Sequence, residues 1–109
     1  MDESAARDQV RRMVSSRVFQ NSERLRRMLS FIVEQTLQGA KKSLKEYTIA
    51  VEVYDRGDAF DPRADAIVRV EAIRLRKKLQ RYYQTDGASD PIIIALPKGG
   101  YVPQFHQRP

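Results

Sequence analysis

The segment at residues 65–83, DAIVRVEAIRLRKKLQRYY, constrains the fold most, because its apolar and charged positions separate at helical spacing. At about 3.6 residues per turn the apolar positions form one stripe, made of Val68, Ala72, Leu75, Leu79 and Tyr82. The opposite side and its flanks carry cations, namely Arg69, Arg74, Arg76, Lys77 and Arg81. The segment is therefore predicted to be one long helix that buries its apolar stripe.

Two aliphatic residues, Val70 and Ile73, lie among those cations. A solvated helix face rarely presents two β-branched residues to water. A helix that enters the DNA major groove needs this mixture, because cations neutralise phosphate or donate to guanine, and apolar groups contact thymine methyls. The pattern is typical of a DNA-recognition helix.

Composition excludes several other kinds of site. The 109 residues suit one domain with a small core, and the absence of cysteine excludes disulfides and thiolate metal sites. The single histidine, His106, is expected to be solvated, so we predict no metal and no cofactor. Asp58 and Asp61 fall in a predicted loop without a base or nucleophile, and we predict no enzyme activity. Without a long apolar run or signal peptide, we expect a cytoplasmic protein with no membrane partner.

The charge balance favours a polyanionic partner. Twenty Lys and Arg against fourteen Asp and Glu give a net charge of +6. Seven of the twenty cations lie in residues 63–81, which contain two acids, Asp65 and Glu71. Positive charge is thus concentrated where the recognition helix is predicted.

Two helices are predicted before residue 40. The first, at residues 4–18, is capped by the acidic start of the chain and is expected to cover one side of the core with Val10, Met13 and Val14. The second follows Asn21 and Ser22, ends at a left-handed Gly39, and has a regular apolar stripe made of Leu25, Met28, Leu29, Ile32, Val33, Thr36 and Leu37. Its first turns carry Arg24, Arg26 and Arg27, which are candidates for phosphate contact, with a surface arginine cluster as the alternative.

A third, short helix is predicted to end near Tyr54. Ser43 and Glu46 have the spacing of a capping box, although the β-branched residues that follow make a strand the rival prediction. Its inward face is expected to consist of Leu44, Tyr47, Ala50, Val51 and Tyr54. Residues 55–64 are predicted to be a loop whose Phe60 packs back onto the core.

The long helix is expected to begin at an N-cap near Asp65 and to end before Gly87, with Tyr82 in the core and Tyr83 at its rim.

A β-hairpin is predicted at residues 92–105, because IIIAL and YVPQF flank the turn sequence PKGG. Three helices and a hairpin follow the order of a winged helix. The predicted fold is mainly α with a C-terminal β-hairpin, a winged helix-turn-helix with an extra N-terminal helix. The predicted divisions are an accessory helix at 1–20, the winged helix at 21–105 and a tail at 106–109.

The sequence VRVEAIRLRKKL, followed by IIIALPKGGY and an aromatic residue, resembles the effector domain of OmpR/PhoB-type response regulators. The chain is also similar to N-terminal modules of bacterial tetratricopeptide or cyclase-like proteins, through KEYTIAVEVYDR, FDPRADAIVRVEA and LPKGGYVP. The first resemblance covers roughly residues 22–105. The family's N-terminal sheet and phosphoacceptor domain have no counterpart in the sequence.

The resemblance implies roles for individual residues. It implies base reading by four positions of the long helix, Arg69, Val70, Ile73 and Arg74. It places Arg76 at a phosphate, where we also expect Lys77, Arg81 and the earlier arginines Arg24, Arg26 and Arg27. The wing would be formed around Lys98, Gly99 and Gly100, with Lys98 on the minor groove or backbone. Residues 55–64 become a candidate contact for RNA polymerase.

The leading hypothesis is a sequence-specific double-stranded DNA-binding transcription regulator. Because one helix reads only a few base pairs, a homodimer or tandem copies are expected, with the N-terminal helix as a candidate dimer surface. The alternative is a winged-helix protein-interaction module that docks an acidic partner.

Overall fold

The computed structural model describes residues 2–109. In this range α1 (Glu3–Val14), α2 (Glu23–Leu37), a short 3-10 helix (Lys41–Ser43), α3 (Glu46–Tyr54) and α4 (Ile67–Gln84) precede β1 (Ile92–Ala95) and β2 (Gln104–Gln107). The two strands pair antiparallel. The prediction of a mainly helical domain with a C-terminal hairpin is confirmed.

Helix α2 lies at the centre of the domain. It contacts α1, α3 and α4, and α4 in turn contacts α3 and β1. The apolar stripe predicted for the long helix is buried at every position, and Tyr83 lies at the rim of the core as predicted. Burial of this stripe is the main apolar contribution of α4 to the core.

Helix α1 is shorter than predicted, because it ends at Val14 instead of residue 18. The Ser16 hydroxyl donates to the Met13 carbonyl at 2.6 Å, and two turns then bring Phe19 into the core. Serine hydroxyls compete for the backbone groups that would continue a helix. The predicted N-terminal cap is present, since the Ser4 amide donates to the Asp2 carboxylate at 3.0 Å.

The capping box predicted for α3 is wrong, although the helix itself forms. The hydroxyl of Ser43 donates to the Ala40 carbonyl within the 3-10 helix, and Glu46 is already the first helical residue. The inward face of α3 is also shifted, because Ile49 and Val53 are buried whereas Tyr47 is half exposed. The buried positions 49, 50, 53 and 54 have i, i+1, i+4, i+5 spacing and lie on one face of the helix.

The start of α4 differs from the prediction by one residue. Ala66 occupies the cap position, while the Asp65 carboxylate accepts from the Ile67 amide at 3.1 Å. The other oxygen of Asp65 accepts from Arg56 at 2.7 Å. Asp65 therefore accepts from an amide at the start of α4 as predicted, but it lies one residue before the cap position.

The hairpin has a longer connection and a later end than predicted. Ile92 is paired with Gln107 and Ala95 with Gln104, so residues 96–103 form the connecting loop, which we call the wing loop. Pro103 has no amide hydrogen for the strand ladder, which explains why pairing begins only at Gln104. His106 is exposed, as expected, but it belongs to β2 and not to a tail.

The outer edge of β1 is closed by a side chain of α4. The Tyr83 hydroxyl accepts from the Ile94 amide at 2.8 Å and donates to the Ile92 carbonyl at 2.9 Å. These two backbone groups point away from β2, because ladder partners alternate along an antiparallel strand. Tyr83 thus occupies the position where a third strand would pair.

Asp90 joins α1, α4 and the segment before β1. Its carboxylate accepts from the Tyr82 hydroxyl and from the Gln9 amide at 2.9 Å, and it lies 3.5 Å from the Arg12 guanidinium. Burial alone would raise the pKa of Asp90. The two hydrogen bonds and the charge of Arg12 outweigh that effect and hold the pKa below its ordinary value of 3.8.

We expect Asp90→Asn to lower the free energy of unfolding by about 1–3 kcal/mol at pH 7, because a charged acceptor is lost from three donors. A lowered pKa stabilises the fold above the unfolded value and loses that contribution as the pH falls through the folded value. The difference between wild type and variant should therefore shrink below about pH 4 in urea titrations at stepped pH. Asp8→Asn, at an exposed position of α1, is the charge-matched control. A difference that stays constant down to pH 2 would contradict the assignment.

Candidate nucleic-acid interface

One side of α4 is exposed and combines aliphatic and cationic residues. Its members have i, i+3, i+4, i+7 and i+11 spacing, which places them within about 100° of the helix circumference. We call this surface the exposed arc of α4, and it consists of Val70, Ile73, Arg74, Lys77 and Arg81. The exposed fractions of Val70 and Ile73 are 41% and 51%, so the two aliphatics do lie at the surface.

On one flank of the exposed arc, Arg69 is held by neighbouring segments. Its guanidinium donates to the Glu46 carboxylate and to the Pro62 carbonyl, both at 2.7 Å. These contacts join α4 to the start of α3 and to the preceding loop. Arg69, a predicted base reader, is thus engaged within the protein.

Further along the same flank, Arg76 is held by the wing loop. It donates to the carbonyls of Leu96, Pro97 and Gly100 at 3.0–3.2 Å. The sequence placed Arg76 on the far side of the helix as a phosphate contact. In the structure Arg76 is half-buried and anchors the wing loop to α4, so it does not lie on an open helix face as predicted.

The opposite flank of the exposed arc faces the start of α2 across a groove of about 550 Å³. We call it the α2–α4 groove; its charged lining consists of Glu23, Arg24, Glu71, Arg74, Lys77, Lys78 and Arg81. Lys78 is engaged within the protein, because its ammonium donates to the Val18 carbonyl and to the Ser22 hydroxyl. Arg24, Arg74, Lys77 and Arg81 are exposed, so the groove presents a cluster of cations to solvent.

Glu71 is buried at the floor of this groove. One of its carboxylate oxygens, Oε1, accepts from Arg74 at 3.3 Å and from Arg24 at 3.5 Å. Burial raises the pKa of the neighbouring Tyr54, and the negative charge of Glu71 raises it further. Sequence reasoning did not assign Glu71 a position in the site. The available signal was that Glu71 is the one acid in the α4 sequence, three residues before Arg74.

The three arginines of the first turns of α2 do not form one cluster. Arg24 lines the α2–α4 groove, whereas Arg26 and Arg27 line a second groove, of about 640 Å³, together with Arg7 and Arg11 of α1. Arg26 lies 3.5 Å from Glu23, and Arg27 lies 3.7 Å from Asp55. The three arginines therefore lie on two different surfaces, and of the three only Arg24 lines the groove beside the exposed arc.

The tip of the wing loop is a glycine turn. Gly99 has a φ of +91°, a backbone conformation that favours glycine, and a Cβ atom at Gly100 would meet no other atom within 4 Å. Lys98, beside them, is exposed. Because Arg76 ties this loop to α4, Lys98 is presented next to the helix that carries the exposed arc.

No protein-family model, curated protein or solved structure matches the chain. Within residues 2–109, no set of three or more His, Asp or Glu side chains could hold a metal ion. None of the helices in this range has the length and apolar character needed to cross a membrane.

Proposed function

We propose that the chain is a sequence-specific double-stranded DNA-binding transcription regulator with a winged-helix architecture. Helix α4 enters the major groove, and the wing loop contacts the minor groove or the backbone. The observation that carries this proposal is the exposed arc of α4, where Val70 and Ile73 lie in water among three cations. Such a surface suits base edges that carry both thymine methyls and guanine acceptors.

The proposed roles follow from the position of each side chain. Val70 and Ile73 contact thymine methyls, and Arg74 donates to guanine. Arg24, Lys77 and Arg81, around the α2–α4 groove, contact phosphates, and Lys98 contacts the flanking groove. Both terminal nitrogens of Arg69 are engaged, by Glu46 and by Pro62, and Arg76 supports the wing loop, so neither is a primary contact in this proposal.

The proposal implies more than one copy on DNA. An α-helix reads only a few base pairs, so useful specificity requires a homodimer or adjacent sites. RNA polymerase remains a proposed partner for the loop at residues 55–64, and the cytoplasm is the proposed location.

Selection from a random duplex pool tests the proposal directly. We expect one sequence motif to be enriched and its affinity to fall steeply with salt, because phosphate contacts release counterions. Arg74→Ala should lose about 1–3 kcal/mol of discrimination at one position of the motif. Lys98→Ala should weaken binding to all sequences alike. Arg11→Ala, which removes an exposed charge from α1, is the matched control and should preserve the motif.

The outcome of the selection also separates the two classes of function. Weak binding that enriches no motif and disappears with moderate salt would favour the protein-interaction module with an acidic partner. Absence of duplex binding even at low salt would refute the proposal.

A further inference from the structure

A carboxylate lies buried beneath the cationic surface proposed to meet DNA. The side chain of Glu71 is only 4% exposed, whereas its two partners, Arg24 and Arg74, are 61% and 63% exposed. Within residues 2–109, Gln9 and Glu71 are the buried polar or charged side chains. A charge removed from water is unfavourable unless it is paired, so the two arginines are what make this position tolerable for Glu71.

Glu71 also acts on its partners. Arg24 comes from α2 and Arg74 from α4, and both guanidinium groups bond to the same oxygen, Oε1. Two neighbouring cations on one groove repel each other, and a carboxylate between them offsets that repulsion. The contact therefore joins two long side chains, one on each wall of the α2–α4 groove.

We infer that Glu71 is a positioning residue that determines sequence specificity, an inference that rests on the proposed function. It holds Arg74 oriented toward a base edge and Arg24 oriented toward a phosphate before DNA arrives. A guanidinium has five donors, and the Nη1 contact with Glu71 leaves the other nitrogen atoms free to donate to guanine. A side chain that is already oriented loses less rotamer freedom on binding.

The negative charge has a second effect. It lies under the groove where phosphates would bind, so it weakens attraction to any duplex regardless of sequence. Specificity is a difference between two affinities. Glu71 therefore raises discrimination through its contact with Arg74, whereas its charge lowers the affinity for matching and random duplexes alike and leaves their ratio unchanged.

The test compares Glu71→Gln with wild type on the selected motif and on random duplex, across a salt series. Glutamine keeps the shape and one acceptor oxygen but removes the charge. We expect the affinity for random duplex to rise and the ratio of specific to random affinity to fall about tenfold, within the range of one arginine–guanine pair. In the Arg74→Ala background the same change should cause little further loss of that ratio, because both substitutions remove one interaction.

Glu23→Gln is the matched control. Glu23 lines the same groove and is exposed, and it pairs with Arg26 instead of Arg74. Removing its charge should raise the affinity for random duplex while leaving the ratio unchanged. A general electrostatic effect would have the same influence on the affinity ratio in both variants. A positioning effect would lower the ratio of specific to random affinity only in Glu71→Gln.

A measurement without DNA completes the test. Nitrogen-15 relaxation of arginine Nε groups should report restricted Arg24 and Arg74 side chains in the free wild-type protein and mobile ones in Glu71→Gln. Arg81, exposed on the same arc, serves as the internal reference. If Glu71→Gln does not fold, Glu71→Asp replaces it. Aspartate keeps the charge but has a shorter reach, so the ratio should fall without a gain in random affinity.

The results distinguish this inference from the proposed function. If wild type selects a motif but the Glu71 variants keep its affinity ratio, the inference is overturned and the DNA-binding function stands. Arg24 and Arg74 side chains that are already mobile in wild type overturn it as well. If wild type binds no duplex, the proposed function fails, and the specificity role of Glu71 fails with it.

Discussion

Gly87→Ala is expected to destabilise the protein by about 3 kcal/mol, the upper end of the usual range for overpacking a core. A Cβ atom at this position would lie 2.1 Å from Cε2 of Tyr82 and 2.7 Å from its Cζ. The ring of Tyr82 is buried edge-on against Phe19 and Tyr83, and its hydroxyl donates to Asp90. Because the ring is fixed at its edges and at its hydroxyl, it cannot move aside without disturbing the core.

Chemical denaturation of two further variants makes this prediction specific. Gly57→Ala, where the new Cβ would meet nothing within 4 Å, should change the free energy of unfolding by less than about 0.5 kcal/mol. In a Tyr82→Leu background, Gly87→Ala should destabilise much less than it does in wild type, because the clashing ring is gone. Equal effects in both backgrounds would show that the contact with Tyr82 is not the cause.

The second large effect is expected for Tyr83→Phe, at about 2–4 kcal/mol. The substitution removes only the hydroxyl and leaves the Ile94 amide and the Ile92 carbonyl without a partner, each a loss of about 1–3 kcal/mol when buried. Burial raises the pKa of Tyr83 to about 12, so the hydroxyl stays protonated and able to donate across the ordinary pH range.

Hydrogen exchange identifies the origin of the Tyr83 effect. The Ile94 amide should lose protection in Tyr83→Phe by more than the global change in stability explains. Tyr47→Phe, at a residue that is 48% exposed, is the control and should be nearly neutral because no buried backbone group depends on its hydroxyl. Unchanged protection at Ile94 would contradict the edge-closing role.

The elements of this fold could be predicted because their signals are local. The buried stripe of α4 follows directly from the spacing of Val68, Ala72, Leu75, Leu79 and Tyr82. Gly39 likewise indicated a helix end, and the β-branched run at 92–94 indicated a strand. The errors concern element ends and the inward face of α3. These features depend on hydrogen bonds and packing that residue spacing does not encode. Glu46, for example, pairs with Arg69 across 23 residues and takes no part in the predicted capping box.

The residues of the exposed surface could be predicted from the sequence, but the contacts that its cations make with other segments could not. The pattern placed Val70 and Ile73 on one surface with five cations, Arg69, Arg74, Arg76, Lys77 and Arg81. Of these cations, Arg74, Lys77 and Arg81 share the exposed arc with the two aliphatics, whereas Arg69 and Arg76 are bound by other segments. The residue spacing of a single helix cannot show which of its cations form hydrogen bonds with other segments. Arg76 is bound by carbonyls 20–24 residues away, and Glu71 lies beside Arg24 only because α2 packs against α4. Such contacts depend on tertiary packing and produce no periodic pattern in the sequence.

Under the proposed function, the attachment of the wing loop through Arg76 would set a length scale for DNA recognition. One guanidinium bonds to three carbonyls on both sides of the loop tip, so the tip and the helix are expected to move as one body. A duplex site for such a body would tolerate no insertion between the bases read by α4 and the flanking contact of Lys98. The protein would thus measure distance along DNA as well as base identity, and a one-base-pair insertion would be as damaging as a mismatch.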